Sequence, residues 1–248
     1  TLVLLSDLGR VLQARDEREE AILIYEGVLE RQRETLGEPH RDTIQTMLAL
    51  VELNLAQDNI QGAETVAREA FLAANRRFGR SNAITIESVC KLAEAVQQQG
   101  RFTEAEASLK SALKTAKEAF GADHETAMYC VKKLGELKRR QKNWWEAESY
   151  FQQYLNYREE KKEDDPEQYF EAMEFLIEVF ERLYRFREAQ DLAQKLMGVR
   201  GGFEDQRRLA IIYRKRSIVG PAIELFQQAY EAAVKAEGPH SEAALQIM

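Results

Sequence analysis

The residues of this chain with chemistry to offer are three histidines, two cysteines and a concentration of lysine and arginine. His124-Glu125-Thr126-Ala127-Met128 opens as a zinc-binding helix does, where two histidines one turn apart share the metal and the glutamate between them activates water. Met128 stands where the second histidine must be, so the ligand pair is incomplete. His40 and His124 are 84 residues apart and each follows a glycine by three positions, while His240 follows Gly238 by two. A repeated junction near a helix start accounts for all three better than a metal or an acid–base role. Cys90 and Cys130 are too few for a disulfide framework and form no Cys-x-x-Cys, so small, partly buried thiols are expected. No phosphate-binding lysine loop, no Gly-x-Gly-x-x-Gly and no nucleophile elbow occurs. No catalytic residue, metal ion or cofactor is expected, and the chain does not read as an enzyme.

The basic residues offer recognition instead. Between Lys132 and Lys142 there are six basic residues to one acidic. Lys132, Glu136, Arg139 and Arg140 recur at three- and four-residue steps after Tyr129, which places them on one face of a helix. The corresponding face 42 residues on carries Glu171, Glu174, Glu178, Glu181 and Arg182. The next such helix carries Glu204, Arg207, Ile211, Arg214 and Lys215. Earlier helices offer Gln45, Leu48, Glu52 and Leu55, then Glu87, Cys90, Glu94 and Gln97. Such a face predicts an electrostatic groove for an acidic or phosphorylated peptide. Ordinary solvated helix faces remain the alternative, since charged residues make up 31% of the chain. The glutamates at 52, 94, 136 and 178 fit either, because they could pair with neighbouring lysines and arginines.

The elements that position these residues follow from composition and period. Over 248 residues the net charge is −7, which argues against a general nucleic-acid binder. Hydrophobic residues at 44% allow a packed core, and 13 glycines with 4 prolines are too few for a strand-and-turn protein. Uncharged stretches stay far short of the ~20 residues a membrane span needs. No targeting leader is visible before Thr1, both ends read as cut from a longer protein, and a cytoplasmic location is expected.

Internal repetition decides the rest. Ala21, Ala63, Ala105, Ala147 and Ala189 are each 42 residues apart, and Leu8, Leu50, Leu92, Leu134 and Leu176 keep the same interval. Gly37, Gly79 and Gly121 share it until Glu163 replaces the glycine, and Thr1, Thr43 and Thr85 follow suit. Each unit divides into two helical patterns. In the second, Ile44, Met47, Leu48, Val51 and Leu55 give one apolar face, and Ala63, Val66, Ala67, Ala70 and Phe71 give the next after a polar break. Gly79 is placed as the left-handed residue that closes the second helix. After Ala189 the next match is Ala222, 33 residues on, so the following turn should differ. Helix pairs of this kind cannot bury their apolar faces alone and must stack.

These residues resemble the tetratricopeptide repeat. The likeness lies in Leu92-Ala93, Gly100-Arg101-Phe102, Glu104-Ala105, Leu109 and Ala112, and again in Leu134-Gly135, Trp144, Glu146-Ala147 and Phe151. The period and the junction Leu36-Gly37-Glu38-Pro39-His40-Arg41-Asp42-Thr43 are similar to the longer kinesin-light-chain variant, which also occurs in repeat domains attached to signalling ATPases of the nucleotide-binding-domain type. The resemblance implies an all-α fold, an α-solenoid of antiparallel helix pairs in a right-handed superhelix. It also implies a single domain over 1–248, with repeats at about 1–37, 38–79, 80–121, 122–163, 164–202 and 203–238 and a partial one at 239–248.

The implied function is a scaffold that binds a protein or peptide in the concave groove lined by first helices. A sensor segment of a signalling ATPase and an accessory domain of an enzyme are the alternatives. Repeats of this family that clamp a carboxylate use lysine and asparagine where Lys132 and Glu136 stand, so that use is not expected. The paired asparagines of the kinesin-light-chain cargo groove are replaced by Leu48-Ala49, Cys90-Lys91 and Lys132-Lys133. The expected contact residues are Tyr129, Lys132, Glu136, Arg139, Arg140, Arg182, Arg207, Arg214 and Lys215. Trp145 joins them as an exposed aromatic beside the core position Trp144. Nucleic acid, membrane and small-molecule substrates are not expected.

Overall fold

The computed structural model describes residues 2–15, 17–238 and 241–247. Thr1, Asp16, Pro239, His240 and Met248 lie outside them, and with them the junction reading of His240 and the first member of the threonine row. Thirteen α-helices follow one another, with no strand among the described residues: α1 (Leu2–Ala14), α2 (Arg18–Thr35), α3 (Arg41–Ala56), α4 (Ile60–Phe78), α5 (Ala83–Gln98), α6 (Phe102–Phe120), α7 (Glu125–Arg140), α8 (Trp144–Glu160), α9 (Pro166–Arg182), α10 (Phe186–Val199), α11 (Phe203–Lys215), α12 (Val219–Glu237) and α13 (Glu242–Ile247). They form two compact units, Thr1–Leu137 and Lys138–Met248. In the first, α1 to α6 pack in chain order, and α3 also meets α5. In the second, α8 to α13 pack in chain order.

The alanine row explains the close pairing. Ala21, Ala63, Ala105, Ala147 and Ala189 are fully buried and Ala222 nearly so. A larger side chain at such a site would hold two helices apart. The leucine row is buried at Leu50, Leu134, Leu176 and Leu209, but Leu8 is 43% exposed.

A second rule of packing links two further register positions. The residue types pair as Gly9 with Tyr25, Val51 with Ala67, Ala93 with Leu109, Ile177 with Ala193 and Ala210 with Phe226. Wherever the first helix carries a bulky residue, the second carries alanine, and the reverse. Val51 and Ala67 share one buried cluster, and a Cβ on Gly9 would meet the Tyr25 ring at 2.9 Å. Summed volume is conserved while the individual residues vary, which dense packing tolerates best.

The turns divide into two kinds. The first helices α3, α5, α7, α9 and α11 end in a three-residue turn whose middle residue is left-handed: Asp58, Gly100, Lys142, Tyr184 and Ser217, with φ between 58° and 79°. The amide after it reaches back five residues, as Asn59 N–H does to the Asn54 carbonyl at 2.9 Å and Ile218 N–H to Tyr213 at 2.9 Å. The left-handed residue's own amide closes the inner bond, as Lys142 N–H does on Arg139 at 3.0 Å. Together these satisfy carbonyls the helix end leaves open. Second helices end otherwise. Gly79 has φ 78° and ψ 171°, and Gly121 has φ 101° and ψ 163°. That is a positive-φ extended conformation and not the left-handed helical one expected for Gly79, and it is all but closed to other residues. Where Glu163 replaces the glycine, α8 stops at Glu160, no positive φ follows, and Asp165 caps α9 by accepting from Gln168 N–H at 3.3 Å.

The shortened interval after Ala189 is taken mainly from helix length. α10 has 14 residues against 19 in α6, and α11 has 13 against 16 in α5. Arg200 closes the tightened corner by pairing with the buried Asp205 at 2.5 Å and with Glu174 at 2.6 Å, while Gly202 N–H donates to Asp205 at 3.2 Å. Those partners hold the Arg200 pKa well above its ordinary value; the Asp205 hydrogen bond is the largest cause, and partial burial works against it.

Candidate functional site

Each unit contains a cavity lined by the same positions of a first helix. In the first unit, about 550 Å³ lies open between α1, α2 and α3 with Glu87 of α5, and α3 contributes Gln45, Thr46, Leu48, Ala49 and Glu52 besides Asp42 in its first turn. In the second unit, about 520 Å³ lies against α9, α11 and Arg200, and α11 contributes Glu204, Asp205, Arg207, Arg208 and Ile211 besides Lys215 at its end. Counting through the repeats, those five positions of α11 are the counterparts of the five of α3. Repeat geometry therefore offers the same surface in both units, and only the side chains differ. Ligand-binding clefts of ~300–1,000 Å³ are of this size.

In the first unit the glutamates of this face are tied into a ladder. Glu52 takes Lys91 at 2.5 Å and Gln13 at 3.3 Å, Lys91 stands 3.7 Å from Glu94, and Lys133 joins Glu94 at 3.1 Å to Glu136 at 2.9 Å. Lys91 and Lys133 are both largely buried and occupy one register position. Burial alone would lower the Lys133 pKa; the Glu136 and Glu94 carboxylates outweigh it and raise it. A buried ammonium with two carboxylates is costly to break, because removing one partner leaves the other charge uncompensated. The lysines at these positions were the signal for this ladder in the sequence, legible only once the register is known.

The ten residues expected to bind a partner fall as follows. Tyr129 is half-buried on α7, with the Lys133 ammonium 5.7 Å from its ring centre, and burial pushes its hydroxyl pKa well up. Lys132 is half-buried on the same helix, Glu136 belongs to the ladder, and Arg140 is exposed at the helix end. In the second unit Arg139 pairs with Glu178 at 2.9 Å and lies over Phe175. Arg182 lies 5.6 Å from the Trp144 ring centre and Arg214 5.9 Å from that of Phe226. Arg207 and Lys215 do line the cavity, but Arg207 pairs with Glu204 at 3.3 Å and Lys215 with Glu181 at 2.7 Å. Trp145 is 68% exposed. Arg139, Arg182, Arg207 and Arg214, which spacing places on one face, are thus each engaged by a local carboxylate or ring. Spacing puts Glu87 on the first-helix face but not among the expected contacts, and Gln32, on a second helix, was not singled out at all; both line the first cavity.

His40 and His124 cap helices. His40 Nδ1 accepts from Asp42 N–H at 3.2 Å and His124 Nδ1 from Thr126 N–H at 3.1 Å. Asn82 does the same at the intervening junction, accepting from Ile84 N–H at 3.0 Å. Among the described residues no three of His, Cys, Asp and Glu stand together as metal ligands, and no helix is long and apolar enough to cross a membrane.

The tetratricopeptide repeat family model matches residues 1–74 and 83–160. No curated protein matches the sequence. Among solved structures, BtubC (BKLC) from P. vanneervenii superposes with a TM-score of 0.75 at 15% identity, covering 91% of this chain and 94% of that one. The kinesin light chain TPR-like repeats of Podosopora anserina give 0.59 at 18% identity, over 80% of this chain and 94% of that one. A Rap protein complexed with Competence and Sporulation Factor gives 0.69 at 15%, over 99% and 72%. At such identities the likeness establishes the fold. With the family match over more than half its length and a kinesin-light-chain-like period, the chain belongs to the tetratricopeptide repeat family.

Proposed function

We propose that this chain is a protein-interaction module that holds a partner peptide against the first helices of its repeats. The observation that carries the reading is the reuse of five register positions to line a cavity in each unit. Scaffold side chains there are already held by ion pairs, so a ligand would meet a preorganised surface and lose little affinity to reordering. Repeats of this fold do receive partners: the Rap neighbour is solved in complex with Competence and Sporulation Factor and another neighbour, Cut9, in a hetero-tetramer with Hcn1.

For an acidic segment the second-unit cavity is the place. Its arginines and Lys215 face Glu174, Glu181 and Glu204, so peptide carboxylates would bind by replacing those glutamates. Exchange of this kind gives modest affinity that weakens with salt.

The test is site-specific photo-cross-linking. A benzophenone side chain at Gln45 or Glu204, both exposed on first helices, should trap the partner; the same group at the exposed Leu23 or Leu72 of second helices should not. Trapping confined to Leu23 and Leu72 would defeat the reading.

A further inference from the structure

The first-unit cavity differs in chemistry from its counterpart. Of its lining side chains, Asp7, Asp42, Glu52 and Glu87 are acidic and Arg10 alone is basic. Arg10 is already paired with Asp7, and Glu52 with Lys91. Glu87 is different: it is half-buried on α5, and no hydrogen bond or ion pair engages its carboxylate among the described residues. Burial pushes its pKa up, the lysine one turn away opposes this, and Glu52 adds to it. A carboxylate in this position gains from an incoming cation, which relieves both the desolvation and the repulsion.

The second observation is independent of charge. Gln32, on α2, is 4% exposed, and its side-chain oxygen is buried with no hydrogen-bond partner. An orphaned buried acceptor carries a desolvation cost that no protein group offsets here, so an incoming donor gains by meeting it. It lines the same cavity as Glu87, beside the ring of Tyr25 and the apolar Leu48.

We infer that this cavity takes an arginine side chain of an extended partner peptide, flanked by apolar residues, with the guanidinium shared between the Glu87 carboxylate and the Gln32 carbonyl. Arginine suits the pair because it brings five N–H donors and no acceptor, while its methylene stem covers apolar wall such as Leu48 and the Tyr25 ring. A lysine would supply one compact charge and cannot reach two differently placed acceptors with the same geometry. The overall charge of −7 favours the approach of a basic segment. The inference rests on the first-helix face being the binding face.

The experiment uses defined probes on the whole chain. Fluorescent peptides Ac-Ala-Leu-X-Leu-Ala-amide, with X arginine, lysine, citrulline or glutamate, are titrated by anisotropy at low and physiological salt. The arginine peptide should bind saturably and at least tenfold more tightly than the citrulline peptide, which keeps the shape and loses the charge. Glu87→Gln should weaken it at least fivefold. Gln32→Met should weaken it too while raising the melting temperature, a combination that a purely structural residue would not give. Equal binding of the arginine and citrulline peptides, or none up to millimolar concentration, overturns the inference, as does unchanged affinity in the folded Glu87→Gln protein. If the cross-linker at Gln45 still traps a partner whose basic residues are dispensable, the inference fails and the interaction module stands. If trapping moves to second helices, both fail.

Discussion

The Tyr25 ring lies against Gly9, so close that a Cβ on the glycine would stand 2.9 Å from two of its carbons. Tyr25 is itself 3% exposed, and its ring would have to shift within the wall of the first cavity to make room. Gly9→Ala should therefore lose about 1–3 kcal/mol to overpacking, offset by the ~1 kcal/mol that alanine gains over glycine in a helix. Gly27 supplies the control, since an added Cβ there meets nothing within 4 Å on α2. Gly27→Ala should raise stability by about 1 kcal/mol. Denaturant melts of the two variants separate packing from propensity. Equal gains in both would refute the volume pairing.

The turn rows make a second pair of expectations. Lys142 and Ser217 hold left-handed backbone at φ 58° and 60° without being glycine. Replacing either by glycine should stabilise the protein by up to ~1 kcal/mol, and Gly100→Ala should destabilise it by a similar amount. Gly79→Ala should cost more, about 1–3 kcal/mol, because positive φ combined with ψ near 171° has almost no place for a Cβ. Thermal melts that rank Gly100→Ala above Gly79→Ala in damage would contradict the two-class description.

The two thiols are expected to be unreactive in the folded state. Cys90 and Cys130 are fully buried with their sulfurs 3.6 Å apart, joining α5 to α7. The hydrogen bond to Cys130 and burial together push the Cys90 pKa well above the ordinary thiol value. Since the thiolate is the nucleophile, Ellman's reagent at pH 8 should label neither cysteine in native protein and both after unfolding. Rapid labelling of the native chain would place these helices farther apart than the structure has them.

An acid-sensitive contact sits between the second and third helix pairs. Glu64 accepts from Gln99 at 2.6 Å, from Arg68 at 2.6 Å and from Arg101 at 3.1 Å. The Gln99 bond is the largest cause of its lowered pKa; slight burial opposes it, and the two arginines add to it. A carboxyl depressed on folding contributes stability that is fully present above its unfolded value, about 4.3, and is lost as pH falls through the folded one. Glu64→Gln should accordingly melt below the wild type at pH 7, and the gap should narrow below about pH 4. A gap independent of pH would assign the effect to shape. Glu148, Arg185 and Glu188 repeat the Glu64, Arg101 and Glu104 arrangement in the second unit, with Arg185 2.7 Å from Glu148 and 2.9 Å from Glu188.

The alternation of Ala21 to Ala222 and Leu8 to Leu209 was sufficient to determine helix pairs, their order and the shortened interval, because a stacked array needs a small residue at every close approach and writes it into each repeat. His40 and His124 were legible as junction residues for the same reason. What spacing could not decide is which charges remain available. Arg139, Arg207 and Lys215 lie on the expected helices, but whether a cation meets solvent or Glu178, Glu204 and Glu181 depends on side chains 39, 3 and 34 residues away along the chain. The first cavity shows this most clearly. Glu87 and Gln32 are ordinary surface types in the sequence, on different helices and far apart along the chain, and packing alone brings an unpaired carboxylate and an orphaned carbonyl to one wall. Repetition encodes the scaffold locally; burial and pairing are long-range properties, settled only when neighbouring helices come together.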